Sequence, residues 1–284
     1  MNSKEVSAKI KKVILEALKE DIGAGDITTR AIVRKNLRGQ AEAIAKEEFL
    51  VAGIDVFKKT FLIFDKRLKF RALVDDGKKV RKGEILARVE GSLASILQAE
   101  RVALNLFQRM CGIATQTNKY VKAVHGTKAK ILDTRKTVPG LRLLDKMAVK
   151  TGGGFNHRMG LYDAVLIKDN HIAAAGSITK AVKDQKKALN KKIKIEVETK
   201  NLDEVKEALE SGADIIMLDN MGIGEMKEAV KIVGKRTLLE ASGNVNLKRV
   251  AKIAGVGVDL ISVGEITHSA RAADISLKIR NKLE

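Results

Sequence analysis

At 284 residues the chain is long enough for one large domain or two ordinary ones, with ample core. Its 45% hydrophobic and 31% charged residues exclude a disordered chain, and no apolar run approaches the ~18 residues that span a bilayer. The net charge of +19 would suit nucleic acid or a membrane surface, but lysines alternate with glutamates, aromatics are 3% with no tryptophan, and no nucleic-acid-binding signature is present. Neither partner is therefore expected. The opening MNSKEVSAKIKK lacks the apolar core of a secretion signal. The single cysteine, Cys111, excludes an internal disulfide and fits a reducing, cytoplasmic location. With no base beside it, it reads as a buried, inert thiol.

Along the chain, Val6, Ile10, Val13, Ile14, Ala17 and Leu18 make one apolar stripe, predicting an amphipathic helix over residues 4–19. Gly23 and Gly25 in EDIGAGDITT then stop it in a loop. Residues 39–46 alternate as a half-buried strand does, and 51–64 reads as a short helix. Strands are expected near 69–75 and 84–90, followed by a long helix over 92–110 with Leu93, Ile96, Leu97, Leu104 and Phe107 inward. DDGKKVRKGEILARVEG has the look of a biotinyl or lipoyl turn-and-strand repeat, but it lacks the modified-lysine hairpin.

From residue 130 apolar runs recur at 131–132, 164–167, 193–197, 214–218, 237–239 and 259–263, separated by helix-length segments. That alternation predicts parallel β/α units, and a barrel is the expected closure. Polar residues gather where these runs end: Thr134, Arg135 and Lys136, then Lys168, Glu198, Asp219 with Asn220, Glu240 with Ser242, and Gly264. A barrel active-site face has this pattern. The cations Arg135, Lys136, Arg158 and Lys168, with His157 and His171, point to an anionic ligand. The Pro139-Gly140 turn and the Gly152-Gly153-Gly154 run are expected to let backbone approach that ligand.

Three linked segments, LDTRKTVPG, GGGFNHRMGLYD and LIKDNH, closely resemble the quinolinate phosphoribosyltransferase family, and ERVALNLFQRMCGIATQT extends the likeness, with Cys111 where the family normally has serine. The resemblance implies an α/β protein: an N-terminal α/β sandwich domain over 1–111, then an incomplete parallel β/α barrel of the type II phosphoribosyltransferase kind over 112–269. A last helix over about 270–284 is expected to pack back on the first domain. The implied enzyme joins quinolinate to phosphoribosyl pyrophosphate, releasing pyrophosphate and carbon dioxide and giving nicotinate mononucleotide for NAD synthesis.

Carried over residue by residue, the resemblance puts Thr134, Arg135, Lys136, His157, Arg158 and Lys168 around quinolinate, with Arg101 supplied by a neighbouring subunit. It therefore implies a homodimer with shared sites, or a hexamer built of such dimers. Glu198 and Asp219 would lie near the ribose and Mg2+, a hard ion suited to oxygen ligands. Ser242, Gly243 and Asn244, with Val263, Gly264 and Glu265, would cradle the 5′-phosphate through backbone amides, with His268 close by. Many relatives have glycine where Asn244 stands. Lys136, Lys168, Glu198 and Asp219 are the expected catalytic residues, acting by positioning and electrostatics rather than as nucleophiles. Three other readings compete. The nearest is a paralogous phosphoribosyltransferase of the kind encoded near molybdate transporters, with a different substrate, which is expected to lack in part the NHR and LIKDNH segments present here. A Schiff-base aldolase using Lys168 leaves the TRK and SGN segments unexplained, and a basic nucleic-acid module leaves the strand-end acids unexplained.

Overall fold

Spacing of apolar residues by three and four does produce the first helix, α1 (Ser3–Ile22), which buries Ile10, Ile14 and Leu18. The structure is a computed structural model that describes residues 3–34, 36–189 and 193–283. The chain divides into two compact units, residues 1–116 with 138–153 and 270–284, and residues 117–137 with 154–269.

In the first unit α1 is followed by α2 (Ile27–Ile32), a short helix not expected from the sequence, which Asp26 caps by accepting the Thr29 amide at 2.9 Å. Next come β1 (Arg38–Ala45), β2 (Phe49–Leu50), α3 (Ile54–Phe64), β3 (Lys69–Ala72), β4 (Lys79–Val80), β5 (Ile85–Ser92) and α4 (Leu93–Ala123), whose final turns count with the second unit. The expected helix ended at residue 110, whereas α4 runs on through Cys111 and Gly112. A Cβ at Gly112 would lie 2.1 Å from the Arg271 carbonyl oxygen, so this glycine permits close backbone approach inside a helix instead of stopping one.

The main sheet has the order β12-β1-β5-β3, where β12 spans residues 275–283. The expected C-terminal helix is therefore a strand, antiparallel to β1. Its sequence explains this: Ile275, Leu277 and Ile279 alternate with Ser276, Lys278 and Arg280, a period of two. The segment does return to the first unit. Phe57, Phe61 and Phe107 centre the core, the rings of Phe57 and Phe107 stacking at 4.7 Å between centroids. Cys111 joins that core fully buried, and burial pushes its thiol far above the ordinary value.

The second unit begins its sheet with β6 (Lys130–Leu132). The chain then forms α5 (Arg142–Thr151), which belongs to the first unit and crosses the expected division at 111/112. The reason is packing: α5 buries Leu144, Ala148 and Val149, and its Asp145 takes two 2.8 Å bonds from Arg109 of α4. Gly152 ends α5, and the glycine run does not line the ligand cavity described below, so the expected role at a ligand is replaced by a helix stop.

The remaining elements are β7 (Val165–Ile167), α6 (Asp169–Ala175), α7 (Ile178–Ala188), β8 (Ile195–Thr199), α8 (Leu202–Glu210), β9 (Ile215–Asp219), α9 (Ile223–Val233), β10 (Leu238–Ser242), α10 (Leu247–Gly255), β11 (Leu260–Ser262) and α11 (Glu265–His268). The six strands β6–β11 are those expected from the apolar runs. They pair in parallel in the order β6-β11-β10-β9-β8-β7. That is barrel order left open between β6 and β7, where one isolated bridge joins Leu132 to Phe155. The barrel is incomplete, and its strands end on one face.

Candidate active site

The carboxyl ends of β6 to β11 surround a cavity of about 860 Å³ within the second unit, a volume that suits a small-molecule ligand. One side is cationic. Arg135 and Lys136 follow β6 and are exposed. The Lys136 amide donates to Thr134 Oγ1 at 3.0 Å, and Thr267 Oγ1 donates to the Lys136 carbonyl at 2.8 Å, which pins the turn. Fully buried Asp133 accepts the His157 amide at 2.8 Å and so ties the 155–158 loop to the end of β6. Arg158 is half-buried and donates to the Ala164 carbonyl at 3.3 Å. Burial, then the charge of Arg135, holds the Arg158 guanidinium below its ordinary pKa. Like charges held close at a partly desolvated wall are relieved by an anion carrying more than one charge.

Lys168, at the start of α6, donates through Nζ to the buried carboxylate of Glu198 on β8. That ammonium is engaged, which removes the main attraction of the Schiff-base reading. His171 is not part of the cavity lining. Its Nδ1 accepts the Lys168 amide at 3.0 Å, so it caps α6.

The opposite side is built from acids and loops. Asp219 ends β9 half-buried, outside the immediate lining, and accepts from Asn220 Nδ2 at 2.8 Å. Asn220 (φ 56) and Asn244 (φ 49) both adopt left-handed backbone, and Asn244 Nδ2 donates to Asn220 Oδ1 at 2.9 Å. Ser242, Gly243 and Asn244 line the cavity as expected, as do Gly264, Glu265 and His268. One expectation fails in detail. Val263 is buried and its amide donates to the Leu132 carbonyl at 2.9 Å, so sheet pairing consumes the group expected to meet phosphate. At the start of α10, the Lys248 and Arg249 amides donate to the Asn246 cap, each at 3.1 Å. The Glu265 carboxylate accepts from the Tyr120 hydroxyl at 2.7 Å. Arg101 is exposed on α4 in the first unit.

Comparison with known proteins decides the family. The descriptions "Quinolinate phosphoribosyl transferase, N-terminal domain" and "C-terminal domain" match residues 26–111 and 113–278. The chain belongs to the quinolinate phosphoribosyltransferase family. It is 42% identical over 271 residues to a probable nicotinate-nucleotide pyrophosphorylase (carboxylating) of Bacillus subtilis strain 168, covering 95% of this chain and 93% of that one. It is 47% identical over 293 aligned positions to quinolinate phosphoribosyltransferase (decarboxylating) 2, mitochondrial, of Nicotiana glauca, covering 96% and 83%. Among solved structures, the nicotinate-nucleotide pyrophosphorylase from Ehrlichia chaffeensis superposes with a TM-score of 0.91 at 44% identity, covering 95% of this chain and 98% of that one. The enzyme of that name from Francisella tularensis gives 0.90 at 42%, covering 96% of each.

Within this member of the family, sequence reasoning missed Arg249, Ser262 and Glu196. Arg249 lines the cavity and donates to the Asn244 carbonyl at 3.2 Å. Glu196 and Glu240 lie beside His157, with one ligand-type atom from each of the three within 4.8 Å of the others. The signal was present, because the period of two along IEVE sends Glu196 to the same face as Glu198, and along LLEAS sends Glu240 to the face of Ser242.

Proposed function

We propose that this pocket performs the family reaction, converting quinolinate and phosphoribosyl pyrophosphate to nicotinate mononucleotide, pyrophosphate and carbon dioxide, a step of NAD synthesis. The observation that carries it is the division of one cavity at the strand ends. A cationic wall of Arg135, Lys136, Arg158 and Lys168 faces acids and a glycine-containing loop, Glu198 and Ser242 to Asn244. Quinolinate, a dianion, fits the cationic wall, with Thr134 and His157 beside it. The phosphoribosyl donor fits the loop side, where Gly264, Glu265 and His268 also lie and Asp219 stands behind.

In this arrangement the arginines hold the two carboxylates and aim the pyridine nitrogen at the anomeric carbon. Positive charge developing on the ribose is stabilised by the carboxylates of Glu198 and Asp219. The nitrogen forms its bond as pyrophosphate departs; the quaternised ring then stabilises the electron pair left on the adjacent carbon when its carboxylate leaves as carbon dioxide, and that carbon takes a proton from water to give the product. Lys168, held by Glu198, places one fixed cation between the two halves. No protein nucleophile enters.

Glu198 and Asp219 are hard oxygen donors that suit Mg2+. Glu198 is already paired with Lys168, so the fit is to an ion shared with substrate phosphates and water, not to an all-protein cage. When bound, Mg2+ would neutralise charge on the departing pyrophosphate. The assembly we propose is a homodimer, or a hexamer of dimers, in which exposed Arg101 serves the neighbouring chain's pocket. We also propose a cytoplasmic location, in keeping with the buried free thiol. Among the described residues no helix is long and apolar enough to cross a membrane.

The test is carbon dioxide release from carboxyl-labelled quinolinate. Release that requires phosphoribosyl pyrophosphate and Mg2+, with an equal amount of nicotinate mononucleotide, is the expected result. No release from folded protein would leave the barrel and discard the substrate.

A further inference from the structure

Beneath the cationic wall lie groups that the reaction as described does not use. Glu196 on β8, Glu240 on β10 and Ser262 on β11 are 5%, 1% and 4% exposed. Glu196 Oε1 and Glu240 Oε1 are buried acceptors that no donor reaches. A buried acceptor without a donor is costly, and a proton on one carboxyl turns an acceptor into a donor. Burial, followed by the charge of Glu196, pushes Glu240 up to about 8, and its hydrogen bond with Glu196 acts in the same direction.

His157 lies against both carboxyls. Its Nε2 is 3.0 Å from Glu196 Oε2 and 3.8 Å from Glu240 Oε1. Its Nδ1 accepts the Arg158 amide at 2.8 Å, so the proton of the neutral ring sits on Nε2 and donates to Glu196. A cation held by these three side chains would need a lone pair on Nε2, which that tautomer does not offer. Both ring nitrogens are consumed by the protein, so neither is left for a substrate carboxylate. The charge of Glu196 also bears favourably on the Arg158 guanidinium.

We propose that Glu196 and Glu240 are positioning residues of the dicarboxylate pocket: packed against Nε2, they lock His157 as the Nε2–H tautomer, and through its Nδ1 they fix the Arg158 backbone. His157 becomes a strut between the carboxyl pair and Arg158 rather than a ligand of the substrate. This inference rests on reading the cationic wall as the quinolinate site.

The test joins spectroscopy of the protein alone to kinetics. Nitrogen-15 shifts of His157, assigned by loss of its signals in His157→Gln, should show a protonated Nε2 and an unprotonated Nδ1 in the wild-type enzyme near pH 7. Glu196→Gln and Glu240→Ala should each raise KM for quinolinate by about tenfold or more, with KM for phosphoribosyl pyrophosphate changed less than about threefold. Glu240→Gln, which keeps a neutral donor, should recover most of the loss seen in Glu240→Ala. A protonated Nδ1 would overturn the proposal, as would equal rises in both KM values or a stoichiometric metal lost on Glu240→Gln. The nitrogen shifts are read without turnover and stand if a carboxyl variant fails to fold. Absence of quinolinate turnover in the wild type would instead count against the reaction.

Discussion

Replacing Gly243 with alanine should damage one side of the pocket and spare the other. Gly243 has φ 83, where an alanine pays roughly 1–2 kcal/mol for left-handed backbone. The added Cβ would lie 2.2 Å from Asn220 Oδ1 and 2.8 Å from the Asn220 backbone nitrogen. Neither contact is tolerable, so Asn220 must move. Asn220 holds Asp219 at 2.8 Å and receives Asn244 at 2.9 Å, so its displacement releases both. A hydrogen bond to a charged group contributes about 1.5–3 kcal/mol, so the combined cost is about 3 kcal/mol or more, shared between stability and the site. Steady-state kinetics should show KM for phosphoribosyl pyrophosphate raised about tenfold or more and kcat reduced, with quinolinate affinity within about threefold. Asn220→Gly should rescue Gly243→Ala only in part, because the backbone contact remains. Wild-type kinetics in Gly243→Ala would refute the proposed Asn220 clasp on Asp219.

Three further outcomes follow from other parts of the molecule. The Glu240 carboxyl titrates near 4.5 when unfolded and about 8 when folded, so between those values the native state keeps a proton that the unfolded chain has released. Stability of the wild type should fall as pH rises through that window, by at most ~1.4 kcal/mol per pH unit, and thermal unfolding should show Glu240→Gln gaining on it steadily from about pH 5 to about pH 8. Arg101→Ala and Lys136→Ala chains, each weakly active alone, should on mixing and reassembly regain roughly a quarter of wild-type sites, since half the dimers are mixed and each has one intact site. No recovery despite mixed dimers would remove Arg101 from the neighbouring pocket. Cys111, buried with its thiol pushed up, should resist alkylation in the native protein and react fully once unfolded.

The sequence was most legible where periodicity and burial agree. Each of the six apolar runs became a strand of the parallel sheet, and their polar ends came together at one cavity, because parallel strands share a carboxyl face. It was least legible where a residue has two uses. Gly112 looks like a helix stop but serves a close backbone crossing, and the 152–154 glycines look like a ligand approach but terminate α5. At the C-terminus, the short segment ISLKIRNKL has a period-two pattern that the expectation of a helix overlooked. Val263 shows a further limit, since nothing in its identity tells whether its amide faces a phosphate or a neighbouring strand. Glu196 was passed over and Glu240 was noted only as a strand-end residue, because only the folded barrel reveals that the two meet beside His157.

The division of the pocket into a quinolinate side and a phosphoribosyl side is tested most directly by calorimetric titration of quinolinate into Arg158→Ala and Asp219→Asn. Quinolinate affinity should fall about tenfold or more in Arg158→Ala, which loses a charge-assisted pair, and stay within about threefold of wild type in Asp219→Asn, which should instead lose Mg2+-dependent turnover. The reverse pattern, with quinolinate affinity intact in Arg158→Ala and lost in Asp219→Asn, would contradict the assignment of both sides.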